Sequence, residues 1–141
     1  MSWKKKEIQM VEELNEKVFS KDPLRVISSA LSSIDVVNSN YIKELKYREG
    51  YHSKAFNNWF IEKIKYDFLV NQAKIDKKIP GYICKFNDGK YIAWNLNKVK
   101  EPKWYVKPLP KTSKIKGGDK TFVDKDVGDL MIEDGVELIW H

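Results

Sequence analysis

The chain has 141 residues, of which 42% are hydrophobic and 13% aromatic, and its formal net charge is +6 at pH 7. This length and apolar content predict one compact domain with a packed core and exclude wholesale disorder. We expect a single domain over residues 1–141, with a helical part at about 1–78 and a β part at about 80–141.

The cysteine count and the hydropathy pattern bear on the compartment. Cys84 is the only cysteine, so no intramolecular disulfide can form, and a buried thiol in a reducing compartment is expected. The N-terminal MSWKKKEIQM has no apolar segment behind its lysines, and no stretch reaches the length of a membrane span. We therefore predict a cytoplasmic protein with no membrane association and no cofactor.

The first half of the chain has the apolar spacing of helices. Apolar residues recur every three or four positions along the first helix, at Ile8, Val11, Leu14 and Val18. Asp22-Pro23 supplies an N-cap and a first-turn proline for a second helix. The expected buried stripe of that second helix is Leu24, Ile27, Leu31 and Ile34.

Two further helices are predicted before residue 80. The polar NSN at residues 38–40 is a plausible cap for a third helix, YIKELKYRE, that Gly50 ends. Ser53 then caps a longer fourth helix whose pattern fades near Asp76, and Pro80 forbids its continuation. The second and third helices together have the size of a helix-turn-helix unit, so DNA reading by this pair is one alternative.

The periodicity changes to two after Gly81. The segments GYICKF and KYIAWNLN flank NDG, which is a strong hairpin signal. Shorter strand candidates follow at WYVK, KTFV, DLMI and VELIW. The predicted class is α+β, with an N-terminal half of about four helices packed on a C-terminal, mostly antiparallel sheet.

The charge is unevenly distributed. Residues 63–120 carry fifteen cations against five anions, whereas residues 121–141 carry one cation against six anions. Lysines interleave with two aromatic residues in the run from residue 97 to 120, a mixture typical of single-stranded nucleic-acid binding. The predicted contacts are Lys98, Lys100, Lys103, Trp104, Tyr105, Lys107, Lys111, Lys114, Lys116 and Lys120.

The sequence thus predicts a small accessory protein that binds nucleic acid through these side chains and has no catalytic residues. An alternative is a protein-interaction module, such as an inhibitor or adaptor of a larger host or viral machine. Its five tryptophans favour that alternative, because Trp is a common interface anchor. A protein partner is therefore possible beside the nucleic acid.

A metal- or His-dependent nuclease is the third hypothesis. The hairpin at residues 80–97 has the outline of the nuclease hairpin that places an aspartate after proline and a Glu-x-Lys on the next strand. However, Gly81 follows Pro80, and asparagines stand where the glutamate and lysine would be, so this hairpin cannot hold a metal. The remaining candidates are His52 and the aspartates Asp124, Asp126 and Asp129, whose spacing does not match a calcium loop.

Overall fold

A computed structural model of the protein describes residues 3–29, 33–110 and 122–140. These residues form two α-helices, α1 at Trp3–Lys17 and α2 at Lys63–Asp76. The strands are β1 (Arg25–Ser29), β2 (Ser33–Val37), β3 (Tyr41–Arg48), β4 (Asn58–Glu62), β5 (Ile79–Phe86), β6 (Tyr91–Asn95), β7 (Tyr105–Pro110), β8 (Phe122–Met131) and β9 (Val136–Leu138). A single 3-10 turn at Ile132–Asp134 precedes β9.

The strands form two sheets. The larger sheet has the order β1-β2-β3-β5-β6-β9, and the smaller one has the order β4-β8-β7. All neighbouring strands are antiparallel except β3 and β5, which run parallel and are joined by a crossover that contains β4 and α2. The crossover places α2 against β3 and β5.

Each face of the larger sheet is covered by a separate hydrophobic cluster. On one face, Met10 and Leu14 of α1 pack with alternate strand residues such as Ile34 and Leu45. On the other face, α2 and the smaller sheet pack on the intervening residues. Because side chains alternate along a strand, the residues next to Ile34 and Leu45 in sequence point towards α2 and the smaller sheet.

The predicted fold class is wrong, since the described chain is mostly sheet and does not contain an N-terminal half of about four helices. The first helix is present as α1, but the second and third predicted helices are strands β1 to β3. Asp22 does not begin a helix. Its carboxylate instead accepts hydrogen bonds from the backbone N–H and hydroxyl of Ser39, which fastens the turn before β3. The helix-turn-helix alternative is therefore wrong, because its two helices are strands.

The fourth predicted helix begins later than expected. Residues 58–62 form β4, and the helix starts only at Lys63. The hairpin around NDG is present as β5 and β6, and Gly89 at its turn has a φ of 84°, in the region that favours glycine. Neither described helix is long and apolar enough to span a membrane.

Candidate active site

Two buried carboxylates face each other in the larger sheet. Asp35 on β2 and Glu44 on β3 are directly paired in the antiparallel ladder. Their side chains are only 4% and 5% exposed, and both lie on the face that α2 and the smaller sheet cover. Like charges at directly opposed positions repel one another, so this pair needs compensation from its surroundings.

Lysine and serine side chains provide that compensation. Lys65 of α2 donates to both carboxylate oxygens of Asp35, at 2.9 and 3.2 Å. The Ser28 hydroxyl donates to the same carboxylate at 2.7 Å, and Ser33 hydrogen-bonds Glu44. The crossover that brings α2 over the sheet therefore also brings a cation to the carboxylates.

Lys46 is the second lysine of this cluster. It lies two residues after Glu44 on β3 and therefore projects from the same face of the sheet. It has no hydrogen bond or ion pair with any residue that the structure describes. Burial, together with Arg48, lowers the pKa of Lys46, although Glu44 and Glu62 act in the opposite direction.

The pKa of Glu44 is shifted in the opposite direction to that of Lys46. Burial raises its pKa above the usual carboxyl value, and the charge of Asp35 adds to that effect. Lys46, Lys65 and the hydrogen bond from Ser33 oppose the rise without cancelling it. Perturbed pKa values of this kind, in one buried cluster of opposite charges, are characteristic of functional sites.

The pair is compatible with a hard divalent cation. Magnesium is usually held by one or two protein carboxylates, while water and phosphate oxygens complete its octahedral coordination. Among the described residues no group of three His, Cys, Asp or Glu side chains lies close enough to bind a metal, and the buried Glu7 of α1 does not complete one. Asp35 and Glu44 therefore fit Mg²⁺ as a two-carboxylate site and do not form an all-protein cage.

A cavity of about 520 Å³ opens beside Lys46. Its floor comes from Lys46 and Arg48 at the end of β3, and its walls come from the smaller sheet and from the connection between β3 and β4. Strand alternation brings Phe60 of β4 and Lys107 of β7 to the same wall. We call this space the β3–β7 cavity.

The predicted nucleic-acid contacts separate into three groups. Tyr105 and Lys107 line the β3–β7 cavity. Lys98, Lys100 and Lys103 are exposed on the connection between β6 and β7 and do not line it. Lys111, Lys114, Lys116 and Lys120 lie outside the described residues.

Trp104 belongs to the core rather than to an exposed stacking surface. Its ring packs edge-on against Tyr66 of α2, with the centroids 5.2 Å apart. Its indole N–H donates to the Glu101 carboxylate at 3.0 Å. Packing accounts for this residue without a ligand.

The other catalytic candidates from the sequence are engaged in local structure. His52 pairs with Asp88 through Nε2 at 3.2 Å, and its Nδ1 accepts the backbone N–H of Lys54. Asp129 accepts a hydrogen bond from the Tyr105 hydroxyl at 2.7 Å. Asp124, Asp126 and Asp129 do not form a metal-binding group among the described residues.

Asp35, Glu44 and Lys46 are not predicted as a site from the sequence, because their segments are assigned to two helices. The aspartate and the Glu-x-Lys that residues 80–97 lack occur on the preceding hairpin, formed by β2 and β3. The sequence signal for this site is the motif Glu44-Leu45-Lys46, which follows an aspartate inside the apolar run SIDVV.

Comparisons with known proteins give no assignment. No protein-family model, no curated protein and no solved structure matches this chain.

Proposed function

We propose that this protein is a divalent-metal-dependent phosphodiesterase that cleaves nucleic acid, with Asp35, Glu44 and Lys46 as its active-site residues. The observation that carries the proposal is the direct pairing of Asp35 with Glu44 across β2 and β3, with Lys46 two residues further on the same face. This selects the metal-dependent form of the nuclease hypothesis, with residues other than those expected.

Each side chain has a distinct part in this proposal. Asp35 and Glu44 would hold the cation. When bound, the cation would polarise a phosphoryl oxygen and lower the pKa of a bound water. Lys46 would place positive charge next to the phosphate and stabilise the negative charge that grows on it during hydrolysis. Lys65 is a positioning residue, because it fixes the Asp35 carboxylate from α2.

The basic middle of the chain supports nucleic acid as the substrate class. Residues 63–120 carry fifteen cations against five anions, which favours encounter with a polyanion. Tyr105 and Lys107 lie in the cavity that Lys46 opens into. A cytoplasmic location belongs to the same proposal, with the buried thiol of Cys84 as its support.

Cleavage assays on labelled DNA and RNA test this function. We expect the wild-type protein to cut in Mg²⁺ or Mn²⁺ and to stop when EDTA is added. Asp35→Asn, Glu44→Gln and Lys46→Met should each lower the rate by roughly 100-fold or more, since each removes a charge that acts on the transition state.

Asp124→Asn is the matched control. It removes an exposed carboxylate on β8, so its rate should equal that of the wild type. The absence of metal-dependent product from every substrate would contradict the proposal. Equal rates for the wild type and the Glu44→Gln and Lys46→Met variants would contradict it as well.

Binding of nucleic acid without cleavage is the second candidate. Lys107 and Tyr105 favour it because both sit at the β3–β7 cavity, where phosphate and a base could be held without chemistry. Under this candidate, binding would fall steeply with salt while no product appears at any metal concentration.

A further inference from the structure

We propose that the β3–β7 cavity receives one unpaired nucleotide of a single-stranded nucleic acid and thereby delivers the neighbouring phosphate to Lys46. This inference rests on the proposed function and adds the structure of the substrate to it.

The cavity has an excess of positive charge. Four cations line it, Lys46, Arg48, Lys107 and Lys125, against the two carboxylates Glu62 and Asp129. Lys125 pairs with Glu62 at 3.1 Å, and Asp129 accepts the Tyr105 hydroxyl. In the part of the chain that the structure describes, the other three cations form no ion pair, so no salt bridge neutralises them.

Arg48 is held rigidly at the floor of the cavity. Its Nη2 donates to the Phe60 carbonyl at 3.1 Å and to the Tyr82 hydroxyl at 2.7 Å. Its guanidinium lies over the rings of Trp59 and Phe60, 5.2 and 5.1 Å from their centroids. A fixed cation of this kind presents positive charge without a large loss of side-chain entropy on binding.

Three aromatic rings at the cavity are about half exposed. Tyr51, Phe56 and Tyr105 are 46%, 51% and 42% exposed. Tyr51 and Phe56 meet the buried Trp59 edge-on, with centroids 5.2 and 5.5 Å from its ring, so they are supported from below. Rigid, half-exposed rings beside cations are the surface on which the bases of a single strand stack.

The size of the cavity is compatible with one unpaired base. A volume of about 520 Å³ falls in the range of pockets that hold one small ligand. Bases in a duplex are stacked and paired, and they can enter such a pocket only after they leave the helix. A single strand pays no such unpairing cost, so it should be the preferred substrate.

Lys46 connects the cavity to the carboxylate pair. It lines the cavity and also lies close enough to Glu44 to affect the pKa of that carboxyl group. A strand whose base occupies the cavity therefore has its adjacent phosphate near Lys46. Binding in the cavity would align the scissile bond with the proposed metal site.

Binding is best measured in the Glu44→Gln protein with EDTA, so that no cleavage interferes. Fluorescein-labelled single-stranded DNA and a duplex of the same length are titrated by anisotropy. We expect the single strand to bind at least about tenfold more tightly than the duplex. Phe56→Ala and Tyr105→Ala should each weaken single-strand binding by roughly tenfold, as loss of one stacked base does.

Two control variants separate stacking from general damage. Phe122→Ala removes an exposed ring that does not line the cavity and should leave the affinity unchanged. Tyr105→Phe keeps the ring and loses only the hydrogen bond to Asp129, so it should bind more tightly than Tyr105→Ala. If the duplex binds as tightly as the single strand, or if both alanine variants bind like the parent, the inference is overturned.

The outcomes distinguish this inference from the proposed function. If Phe56→Ala and Tyr105→Ala cleave at the wild-type rate, the cavity inference is overturned and the proposed active site is unaffected. Ring-dependent single-strand binding without metal-dependent cleavage supports the cavity inference and contradicts the proposed active site.

Discussion

At the scale of single residues, Glu44 illustrates a conflict between stability and the proposed chemistry. Its carboxylate is buried opposite Asp35, and its pKa is raised because burial outweighs the neighbouring lysines. A carboxyl group whose pKa is raised by folding lowers stability as the pH rises above its unfolded-state pKa, and the loss is complete above the raised pKa. Functional sites commonly carry such a cost.

The Glu44→Gln variant should therefore be more stable than the wild type at neutral pH. Glutamine keeps the shape of the side chain and removes the charge that burial disfavours. The advantage should shrink as the pH falls through the raised pKa and vanish below the ordinary carboxyl pKa of 4.5, because Glu44 is then protonated in both states. Thermal melts across pH measure this, with about 4 °C expected per kcal/mol.

Magnesium should make the wild type more stable than Glu44→Gln. An ion that binds only the folded wild type raises its melting temperature by mass action, and the effect is lost in Glu44→Gln because one of the two ligands is gone. Asp124→Asn should respond like the wild type. Equal magnesium shifts in the wild type and Glu44→Gln would argue against metal binding by this pair.

Lys43 makes a separate prediction on the opposite face of β3. It is 8% exposed, and burial lowers its pKa from 10.5 to about 8. The protonated form is therefore disfavoured in the folded protein, and Lys43→Met should stabilise the protein below pH 8 by an amount on the order of 3 kcal/mol. Lost contact with the Tyr41 ring, 4.3 Å from the ammonium, reduces that gain.

The pH dependence of the Lys43 effect has a defined sign. Wild-type stability should rise between about pH 8 and the unfolded-state value of 10.5, because folding then releases a proton and that release becomes easier as the pH rises. The advantage of Lys43→Met should fall over the same interval. Denaturant melts of the wild type and of Lys43→Met at several pH values check this.

At the scale of elements, β3 shows why the sequence predicts some parts of the fold and not others. Residues 41–48 are covered on both faces, and Lys43, Glu44 and Arg48 are buried with the apolar residues. That removes the alternation of apolar and polar residues by which a half-exposed strand is recognised. α1 and the β5–β6 hairpin were predictable because one has a clear amphipathic stripe and the other a clear turn.

β4 and α2 show the second limit. The aromatic and apolar residues from 56 to 68 recur at helical spacing, although residues 58–62 pair with β8 from far along the chain. Local sequence does not reveal such long-range pairing, so tertiary packing overrides the helical signal. For the same reason the site could not be assembled from sequence alone, since Asp35 and Glu44 meet only when β2 and β3 are recognised as a hairpin.

The packing of β8 against the connection before β7 gives a prediction at this scale. A Cβ atom on Gly128 would lie 2.3 Å from the Pro102 side chain and 2.9 Å from the Trp104 ring. Gly128→Ala must therefore push this connection away and should destabilise the protein by about 1–3 kcal/mol. Urea denaturation measures the change.

Gly50→Ala is the matched control for that substitution. Apart from its chain neighbours, no atom of the described residues lies within 4 Å of its added Cβ, so the stability of Gly50→Ala should stay within about 0.5 kcal/mol of the wild type. A Gly128→Ala protein as stable as Gly50→Ala would mean that β8 does not pack closely on this connection.

In the whole molecule, the two sheets contribute different parts of the proposed active site and cavity. The larger sheet supplies the carboxylates and Lys46, and the smaller sheet supplies Tyr105, Lys107 and Phe60 at the cavity. Trp59 and Ile61 of β4 join the sheets through a shared core. The β4–α2 crossover thus supplies both Lys65, which contacts Asp35, and Phe60, which lines the cavity.

The charge asymmetry of the chain acts at this scale as well. We expect nucleic-acid affinity to fall as salt rises, because each phosphate contact releases condensed counterions. Lys107→Gln should lower the slope of log affinity against log salt by about 0.7 for a single strand, corresponding to one phosphate contact. Lys98→Gln removes a lysine outside the cavity, and a slope change equal to that of Lys107→Gln would count against a specific contact.

Anomalous diffraction from Mn²⁺-soaked crystals would show whether Asp35 and Glu44 share a divalent cation. We predict a strong anomalous peak between the two carboxylates, with metal–oxygen distances of about 2.0–2.3 Å, that is absent in Glu44→Gln crystals. Ordered manganese elsewhere with none at this pair would mean that these carboxylates do not hold the metal.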